Sequence, residues 1–343
     1  MQKLWLFSVR AYLKLGFFFY FKKINVFNKE NIPKNKPVLF LANHQNALLD
    51  PLLIGINCDR FLFFLTRAGV FKKAFISKIF ASLQMLPVYR IRDGWNNLTN
   101  NTAIFETCTK LLNKGESVLI FPEGGHNLVR TVRPLSKGFT RIVFDTLEKY
   151  PNTDLQLIPV GLNFKNAIHF PDGTSIFYGK PIRAKDFFSG NRHEDVLKLK
   201  TKIQLELSKL TAHIPTENYD RTLKRLNDLN VDFLNPQQVN SCIKSGFQNC
   251  HNQPKSKIEG LRSFFKILLI VNLFVPYFLW KFMVQPQIKE IEFMSTFRFA
   301  VAVTLVPVWV LLLVFLCVFS FGWGIAIAYL IVVLGIVLLA VKT

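Results

Sequence analysis

The chain has 343 residues, half of them apolar and 35 of them phenylalanine, and its formal net charge is +21. A positive surplus of this size attracts polyanions such as nucleic acids, anionic lipids and phosphorylated substrates. The high apolar content favours a membrane surface, and no stretch interleaves aromatic with basic side chains, so no nucleic-acid partner is expected. The length suits one domain of roughly 200 residues with additional segments.

The N-terminal segment, residues 1–28, is predicted to be an amphipathic, membrane-associated helix. Arg10 and Lys14 interrupt its apolar residues, which leaves Leu15–Phe21 as the longest uncharged part. This part is too short to cross a bilayer, because a spanning helix needs about 20 residues. No small-residue cleavage site follows it, so we expect a retained interfacial helix in place of a signal peptide.

Residues 29–230 are predicted to form the main domain, because short apolar runs alternate there with longer helical patterns. The predicted strands are 38–42, 61–65, 86–89, 118–121 and 155–160, and the predicted helices are 70–83, 96–113, 137–150 and 194–210. This alternation indicates an α/β fold with a mostly parallel central sheet flanked by helices. Residues 231–263, rich in Asn and Gln, are predicted to be a polar linker.

Residues 264–342 are predicted to form a C-terminal membrane region with two or three spans. No charged residue occurs from Phe299 to Val341, and only Ser320–Gly324 breaks the apolar run. At about 20 residues per span, this run suits two transmembrane helices joined by a tight turn. Ile267–Val284 is a further apolar segment that either spans or lies in the interface, and the basic residues before it indicate the cytoplasmic side.

The five cysteines are odd in number and show no C-x-x-C spacing. This pattern argues against a disulfide framework and fits a reducing compartment. Cys242, Cys250 and His251 lie near one another in a polar stretch, but the sequence offers no obvious fourth ligand for a tetrahedral site. No metal site is therefore predicted.

The first motif with candidate chemistry is Asn43–Asp50. His44 directly follows a predicted strand, and α/β folds bind ligands on the loops at the carboxyl ends of parallel strands. Asp50 comes six residues later, so the two side chains can meet only if the chain between them is partly non-helical. A carboxylate on the imidazole would fix its tautomer and make His44 a general base. The alternative is that His44 caps the helix and Asp50 is solvated.

The second motif is Phe121–Gly125, in which Glu123 precedes Gly124 and Gly125. Glycines at these two positions would let the backbone approach a ligand closely. The sequence contains no G-x-S-x-G elbow, P-loop or G-x-G-x-x-G run, so serine-hydrolase, nucleotide-hydrolase and Rossmann functions have no support.

Five blocks resemble, in the same order, those of the glycerolipid acyltransferase family, which includes the 1-acylglycerol-3-phosphate acyltransferases: Asn43–Asp50, Leu65–Arg67, Leu86–Arg90, Phe121–Gly124 and Leu157–Val160. The resemblance implies a membrane-bound enzyme of phospholipid biosynthesis. Such an enzyme moves a fatty acyl group from acyl-CoA or acyl carrier protein to a hydroxyl of glycerol 3-phosphate or 1-acylglycerol 3-phosphate. The expected partners are therefore membrane lipids, the acyl donor and a phosphorylated glycerol acceptor, with no tightly bound cofactor.

The resemblance also implies roles for individual residues. His44 would be the catalytic base and Asp50 its partner, while Arg90, Glu123 and Gly124 would hold the acceptor. Arg90 could bind a phosphate through two parallel hydrogen bonds; the alternative is a surface arginine after an edge strand. Glu123 would accept hydrogen bonds from glycerol hydroxyls or orient a nearby arginine, and Gly125 would give the backbone further access to the ligand.

The sequence departs from the family pattern at two points. Five residues, instead of the usual four, separate His44 from Asp50, and Gly125–Asn127 replaces a common Thr-Arg-Ser run. Both departures are more similar to the fungal-type glycerol-3-phosphate and dihydroxyacetone-phosphate acyltransferase branch. Arg133 and Lys137 are expected to replace the missing arginine in binding phosphate, with Lys137 at a helix N-terminus.

Several alternatives stay open at this point. The acceptor could be glycerol 3-phosphate, lysophosphatidate or another lysophospholipid, and the chain could be a catalytically silent lipid-binding membrane protein of the same fold. The presence of all of His44, Asp50, Arg90 and Glu123 argues against a silent protein. We expect an integral membrane protein with its catalytic domain on the cytoplasmic face, in the inner membrane if the protein is bacterial.

Overall fold

A computed structural model describes residues 1–71, 73–89, 101–254 and 259–343. The strands are β1 (Lys23–Phe27), β2 (Val38–Ala42), β3 (Leu62–Arg67), β4 (Met85–Val88), β5 (Ser117–Ile120), β6 (Gln156–Phe164), β7 (Gly173–Tyr178) and β8 (Ile182–Arg183). The helices are α1 (Gln2–Tyr20), α2 (Leu49–Asn57), α3 (Ala74–Ser82), α4 (Asn101–Asn113), α5 (Gly138–Lys149), α6 (Arg192–Leu210), α7 (Tyr219–Asp228), α8 (Pro236–Lys244), α9 (Glu259–Asn272), α10 (Phe274–Phe278), α11 (Met294–Phe321) and α12 (Trp323–Lys342).

The strands form one eight-stranded sheet in the order β1-β7-β6-β2-β5-β3-β4, with β8 also paired to β6. The five strands from β6 to β4 in this order are parallel to one another. β7 is antiparallel to β6 and parallel to β1. The predicted α/β fold with a mostly parallel sheet flanked by helices is confirmed.

The central strand β2 is buried on both of its faces. Val38, Phe40 and Ala42 belong to one core cluster, which the sheet shares with α1 and α2. Leu39 and Leu41 point the other way into a second cluster, shared with α4, α5 and α6. Burial on both faces explains why the strand is a continuous apolar run. It also fixes the point at which the chain leaves the sheet and enters the Asn43–Asp50 loop.

The N-terminal helix α1 is packed against the protein on one side only. Phe17 and Tyr20 are almost fully buried and contact Phe299 of α11, whereas Leu4 and Phe7 are exposed. After the helix, β1 pairs with β7 in the sheet. The segment 1–28 is therefore not only a helix, since it also contains the first strand of the sheet. The sequence pattern does not show β1, because this short edge strand directly follows a longer apolar helix.

The segment expected to be a polar linker, residues 231–263, contains folded structure. It includes α8, and Val231, Phe233 and Val239 lie in a small apolar cluster. Cys242 and Cys250 form a disulfide, although the number and spacing of the cysteines argue against a disulfide framework. The reason is local: the chain reverses direction after α8 and brings the two Cα atoms to 4.7 Å from each other.

The C-terminal region has two helices that are long and apolar enough to cross a membrane, over Ile291–Phe321 and Trp323–Lys342. A preceding pair of helices, Gly260–Asn272 and Phe274–Gln287, is bent by 97° and would count as a third span only if the pair is one broken span. The second helix of this pair begins with α10 and continues as a π-helix over Leu279–Val284.

Candidate active site

The loop between β2 and α2 brings His44 and Asp50 together. Residues 43–48 are not helical, and Ala47 has a left-handed φ of 34°. Asp50 lies in the first turn of α2 and is fully buried. Its Oδ2 accepts hydrogen bonds from His44 Nδ1 at 2.8 Å, from the Gln45 amide at 2.7 Å and from the Asn46 amide at 2.8 Å. The turn thus places the carboxylate beside the imidazole despite the additional residue.

These contacts define the tautomer of His44. An ionised carboxylate can only accept, so Nδ1 carries the proton and Nε2 keeps its lone pair. The ring stacks on Phe121 with 4.0 Å between centroids, and the side chain is 15% exposed. Burial lowers the pKa of His44 below its ordinary 6.5, against the raising influence of Asp50. A neutral imidazole with an unprotonated, accessible Nε2 is the state that a general base requires.

The second loop follows β5 and is held against the first. The amide of Asn127 donates to the carbonyl of His44 at 3.0 Å. Gly124 has a φ of 73°, a left-handed conformation that favours glycine, and the space beside it is open. The two sequence motifs therefore form a single site at the carboxyl ends of the neighbouring parallel strands β2 and β5.

Glu123 is paired with an arginine. Arg133 Nε donates to Glu123 Oε2 at 2.7 Å, and Arg133 Nη2 donates to the Gly125 carbonyl. Burial raises the pKa of Glu123 to about 7, although the charge of Arg133 acts in the opposite direction. Of the two roles expected for Glu123, the geometry matches that of orienting an arginine.

A cavity of about 1090 Å³ opens in front of these loops. His44, Glu123, Gly124, Gly125 and Lys137 line it, whereas Arg133 does not. Its remaining walls are mostly apolar and include Phe64, Val70, Phe80, Met85, Val88 and Phe105. A histidine in the wall of a mostly apolar cavity suits a reaction on a group attached to a lipid chain.

The predicted binding residues occupy different positions around this cavity. Lys137 immediately precedes α5 and lines the cavity, as expected. Arg133 stands behind Glu123, and Arg90 falls outside the described residues. Sequence reasoning gave no role to three further cations on the walls, Arg67, Arg141 and Arg192. Only Arg67 had a signal, because it ends strand β3 at the edge of the sheet where ligands bind.

Residues 23–163 match the family model described as Acyltransferase. This part of the chain is an acyltransferase-family domain. It contains both loops, the His44–Asp50 pair and the residues around Glu123. The C-terminal helices lie outside the matched range.

Curated relatives of the acyltransferase domain include a 1-acyl-sn-glycerol-3-phosphate acyltransferase of Borreliella burgdorferi, 27% identical over 49% of this chain and 64% of the relative. The glycerol-3-phosphate O-acyltransferase 2 of Saccharomyces cerevisiae is 26% identical over 35% of this chain and 17% of the relative. The chain thus spans less than two thirds of each of these relatives. A solved 1-acyl-sn-glycerophosphate acyltransferase from Thermotoga maritima aligns with a TM-score of 0.45 and 21% identity, covering 60% of this chain and 80% of that one.

The start of α11 also contributes to the site of the acyltransferase domain, a contribution that the sequence did not reveal. The amide of Leu48 donates to Thr296 Oγ1 at 3.2 Å, and Phe293, Thr296 and Phe297 line the cavity. His126 Nε2 lies 2.9 Å from Glu290 Oε2. The apolar helix α11 therefore contacts the loop that carries His44 directly.

One group near the site offers ligand atoms suited to a metal ion. His126, Glu290 and Glu292 place one such atom each within 4.8 Å of one another. Glu290 is exposed and the other two are partly buried. Exposed acidic groups of this kind are common without an ion, and the ring of His126 packs edge-on against the His44 ring, with 5.5 Å between centroids.

Proposed function

We propose that this chain is a membrane-bound O-acyltransferase that moves a fatty acyl group from acyl-CoA or acyl carrier protein to a hydroxyl of glycerol 3-phosphate or 1-acylglycerol 3-phosphate. The observation that carries the proposal is the 2.8 Å contact between the buried Asp50 carboxylate and Nδ1 of His44, which lines a mostly apolar cavity. Its occurrence within an acyltransferase-family domain and the names of the relatives support the same reaction.

The chemistry follows from the tautomer of His44. Nε2 takes the proton of the acceptor hydroxyl as its oxygen attacks the thioester carbonyl, which forms the new C–O bond. The C–S bond then breaks, and the thiolate leaves and recovers the proton from the imidazolium. Asp50 stabilises the imidazolium in between. A general base of this kind contributes roughly 10²- to 10⁴-fold in rate. A thiolate leaving group, with a thiol pKa of about 8.5, requires neither a metal nor another cofactor.

The acceptor phosphate is assigned to the basic side of the cavity. Lys137 lies at the N-terminus of α5, where backbone amides and the helix dipole favour an anion. Arg133 is held by Glu123 and contributes positive potential near His44, while Arg67 also lines the cavity. Glu123 then orients Arg133, and the exposed Gly124 leaves room for the glycerol backbone.

The apolar part of the cavity is assigned to the acyl chain, and the C-terminal helices anchor the reaction at the bilayer. Two helices are long and apolar enough to span, and the first of them contacts the site loop. The excess of basic charge would hold the domain on anionic headgroups. We place the acyltransferase domain on the cytoplasmic face, where both donors are available.

The test is acyl transfer by the purified full chain with labelled acyl-CoA or acyl carrier protein, with glycerol 3-phosphate, 1-acylglycerol 3-phosphate and other lysophospholipids offered separately. Wild type should acylate one of the first two acceptors, and His44→Ala should lose the activity. His193→Ala, a histidine exposed on α6, is the matched control and should keep it. Use of only another lysolipid would overturn the acceptor, and equal inertness of wild type and His44→Ala would favour a silent lipid-binding protein.

The acceptor side has a separate test. If Arg133 and Lys137 serve the phosphate, Arg133→Ala and Lys137→Ala should each raise the KM for the acceptor while the KM for the donor stays unchanged. Lys224→Ala, on the exposed face of α7, removes one charge elsewhere and is the control. An unchanged acceptor KM in both variants would refute the assignment.

A further inference from the structure

A second cavity, of about 1070 Å³, lies away from the candidate active site. It is bounded by the loop between β6 and β7, by α9 and α10, and by the first turns of α11. In the described part of the chain it shares no lining residue with the cavity that contains His44. The proposed acyl transfer does not use it.

The polar part of this second cavity is strongly basic. The cations among its described lining residues are Lys22, Lys23, Lys165, Arg262, Lys266, Lys281 and Arg298, and the acidic side chains are Asp172 and Asp232. Arg262 and Arg298 are close enough to Lys266 for their charges to repel it. No carboxylate forms an ion pair with these three cations among the residues that the structure describes. Like charges brought together in this way are stabilised by a bound anion.

The two arginines of this cluster are fixed in position and keep free donors. Arg262 Nη2 donates to the Pro171 carbonyl at 3.2 Å, and Arg298 Nη1 donates to the Ile168 carbonyl at 3.0 Å. Among the described residues, the buried Nε of Arg262 has no hydrogen-bond partner, which is uncommon in folded proteins. Each guanidinium has five N–H groups, so both arginines have further donors that can bind a phosphate in the cavity.

The other part of the cavity is apolar and lies further along the same helices. On α9, Leu269 and Ile270 follow Lys266 within about 6 Å along the axis, at 1.5 Å per residue. On α11, Val301 and Val306 follow Arg298. Both helices therefore present a cation first and apolar side chains after it. This order matches a molecule with a charged head and a hydrocarbon tail.

We propose that the second cavity binds one anionic glycerophospholipid from the bilayer. Its phosphate contacts Arg262, Lys266 and Arg298, and an acyl chain lies between α9 and α11. Basic recesses between membrane helices are a recurrent way of holding anionic lipid headgroups. The lipid bound here is neither donor nor acceptor of the acyl transfer, so the proposal does not depend on the proposed function.

The test is photo-crosslinking of the purified full chain in zwitterionic detergent with phosphatidylglycerol that carries a photoactivatable acyl chain. Crosslinks are mapped to peptides by mass spectrometry. We expect labelling of α9 and of residues 300–306 of α11, reduced at least tenfold in Arg262→Gln/Lys266→Gln. Arg221→Gln/Lys224→Gln removes one arginine and one lysine from exposed positions on α7 and is the matched control, which should label like wild type.

A second lipid probe, one competitor and one further variant complete the test. Phosphatidylcholine with the same photoactivatable chain should label these peptides weakly, and inorganic phosphate should not displace phosphatidylglycerol. Ile270→Trp narrows the apolar part of the second cavity without changing any charge, so it should also reduce labelling by phosphatidylglycerol. This variant tests the proposal if Arg262→Gln/Lys266→Gln does not fold. Labelling that is equal in wild type and both folded variants, equal for phosphatidylcholine, or abolished by inorganic phosphate would overturn the proposal.

Discussion

Replacement of Asp50 by asparagine is the sharpest test of the proposed mechanism. The Oδ2 atom of Asp50 accepts three hydrogen bonds, from His44 Nδ1 and from the amides of Gln45 and Asn46. In Asp50→Asn, the amide oxygen can still accept from the two backbone amides, but the bonds are no longer charge-assisted. Each of these two backbone hydrogen bonds should lose about 1 kcal/mol, so the free energy of unfolding of the variant should be about 2 kcal/mol lower than that of wild type.

The effect on catalysis should be much larger than the effect on stability. With its amide oxygen in the place of Oδ2, the asparagine still accepts from His44 Nδ1, and its NH₂ group takes the place of Oδ1, which is buried and has no hydrogen-bond partner among the described residues. The tautomer of His44 is kept, but a neutral amide no longer stabilises the imidazolium that forms when Nε2 takes the proton of the acceptor hydroxyl. We therefore expect kcat to fall roughly 10²- to 10⁴-fold, with little change in either KM.

The assay is steady-state acyl transfer at saturating donor, with thermal unfolding measured on the same samples. About 2 kcal/mol corresponds to a Tm lower by about 4–8 °C for a domain of this size. Asp59→Asn is the matched control, because Asp59 is an exposed aspartate paired only with Lys29, and it should change neither quantity appreciably. A kcat within about threefold of wild type in a folded Asp50→Asn protein would refute the role of the Asp50 charge in stabilising the imidazolium.

Three further predictions follow from buried groups. In the proposed mechanism only neutral His44 is active, and burial lowers the pKa of His44 below 6.5. The value of kcat/KM should therefore rise with pH, with its midpoint below pH 6.5, and should level off by neutrality. A midpoint well above pH 6.5 would contradict this. Burial raises the pKa of Glu123 to about 7, so ionising it costs stability in the folded state. The Tm of wild type relative to Glu123→Gln should therefore fall as pH rises from 4.5 to about 7, and a difference that does not change with pH would be inconsistent with this. A Cβ at Gly161 would lie 2.1 Å from the Leu210 carbonyl oxygen, so Gly161→Ala should lower the free energy of unfolding by about 3 kcal/mol or more. A Cβ at Gly260 would have no atom within 4 Å, so Gly260→Ala is the control and should lower the free energy of unfolding far less in the same thermal assay.

The central sheet could be predicted because its strands are short apolar runs with clear boundaries. β2 was predicted at its observed bounds, since burial on both faces gives five consecutive apolar residues. β1 and β7 were missed for physical reasons. β1 is an edge strand that contains Lys23 and Asn25, and β7 begins with Gly173, Thr174 and Ser175, whose polar groups are buried only because neighbouring segments cover them.

The candidate site could be predicted in part. The residue types and the loops that carry them were visible in the two motifs, and the structure brings His44 and Asp50 into contact. The path of the chain was not visible: the additional residue is accommodated by the left-handed φ of Ala47 and by a helix that begins at Leu49. The sequence indicates that Glu123 could orient a nearby arginine, but it does not identify Arg133 as that arginine. The pairing depends on a side-chain contact between residues that are ten positions apart in an irregular segment.

The wall that α11 provides could not be predicted, because it comes from contacts between distant parts of the chain. Phe293, Thr296 and Phe297 face the cavity of His44, while Arg298 and Val301 face the basic cavity. At 100° per residue, the mean directions of these two sets differ by about 120° around the helix axis. The start of α11 therefore separates the two cavities, and any displacement of this helix changes both of them together. The apolar helix α11 is thus part of the architecture of the site, because its position helps to set the space in front of His44.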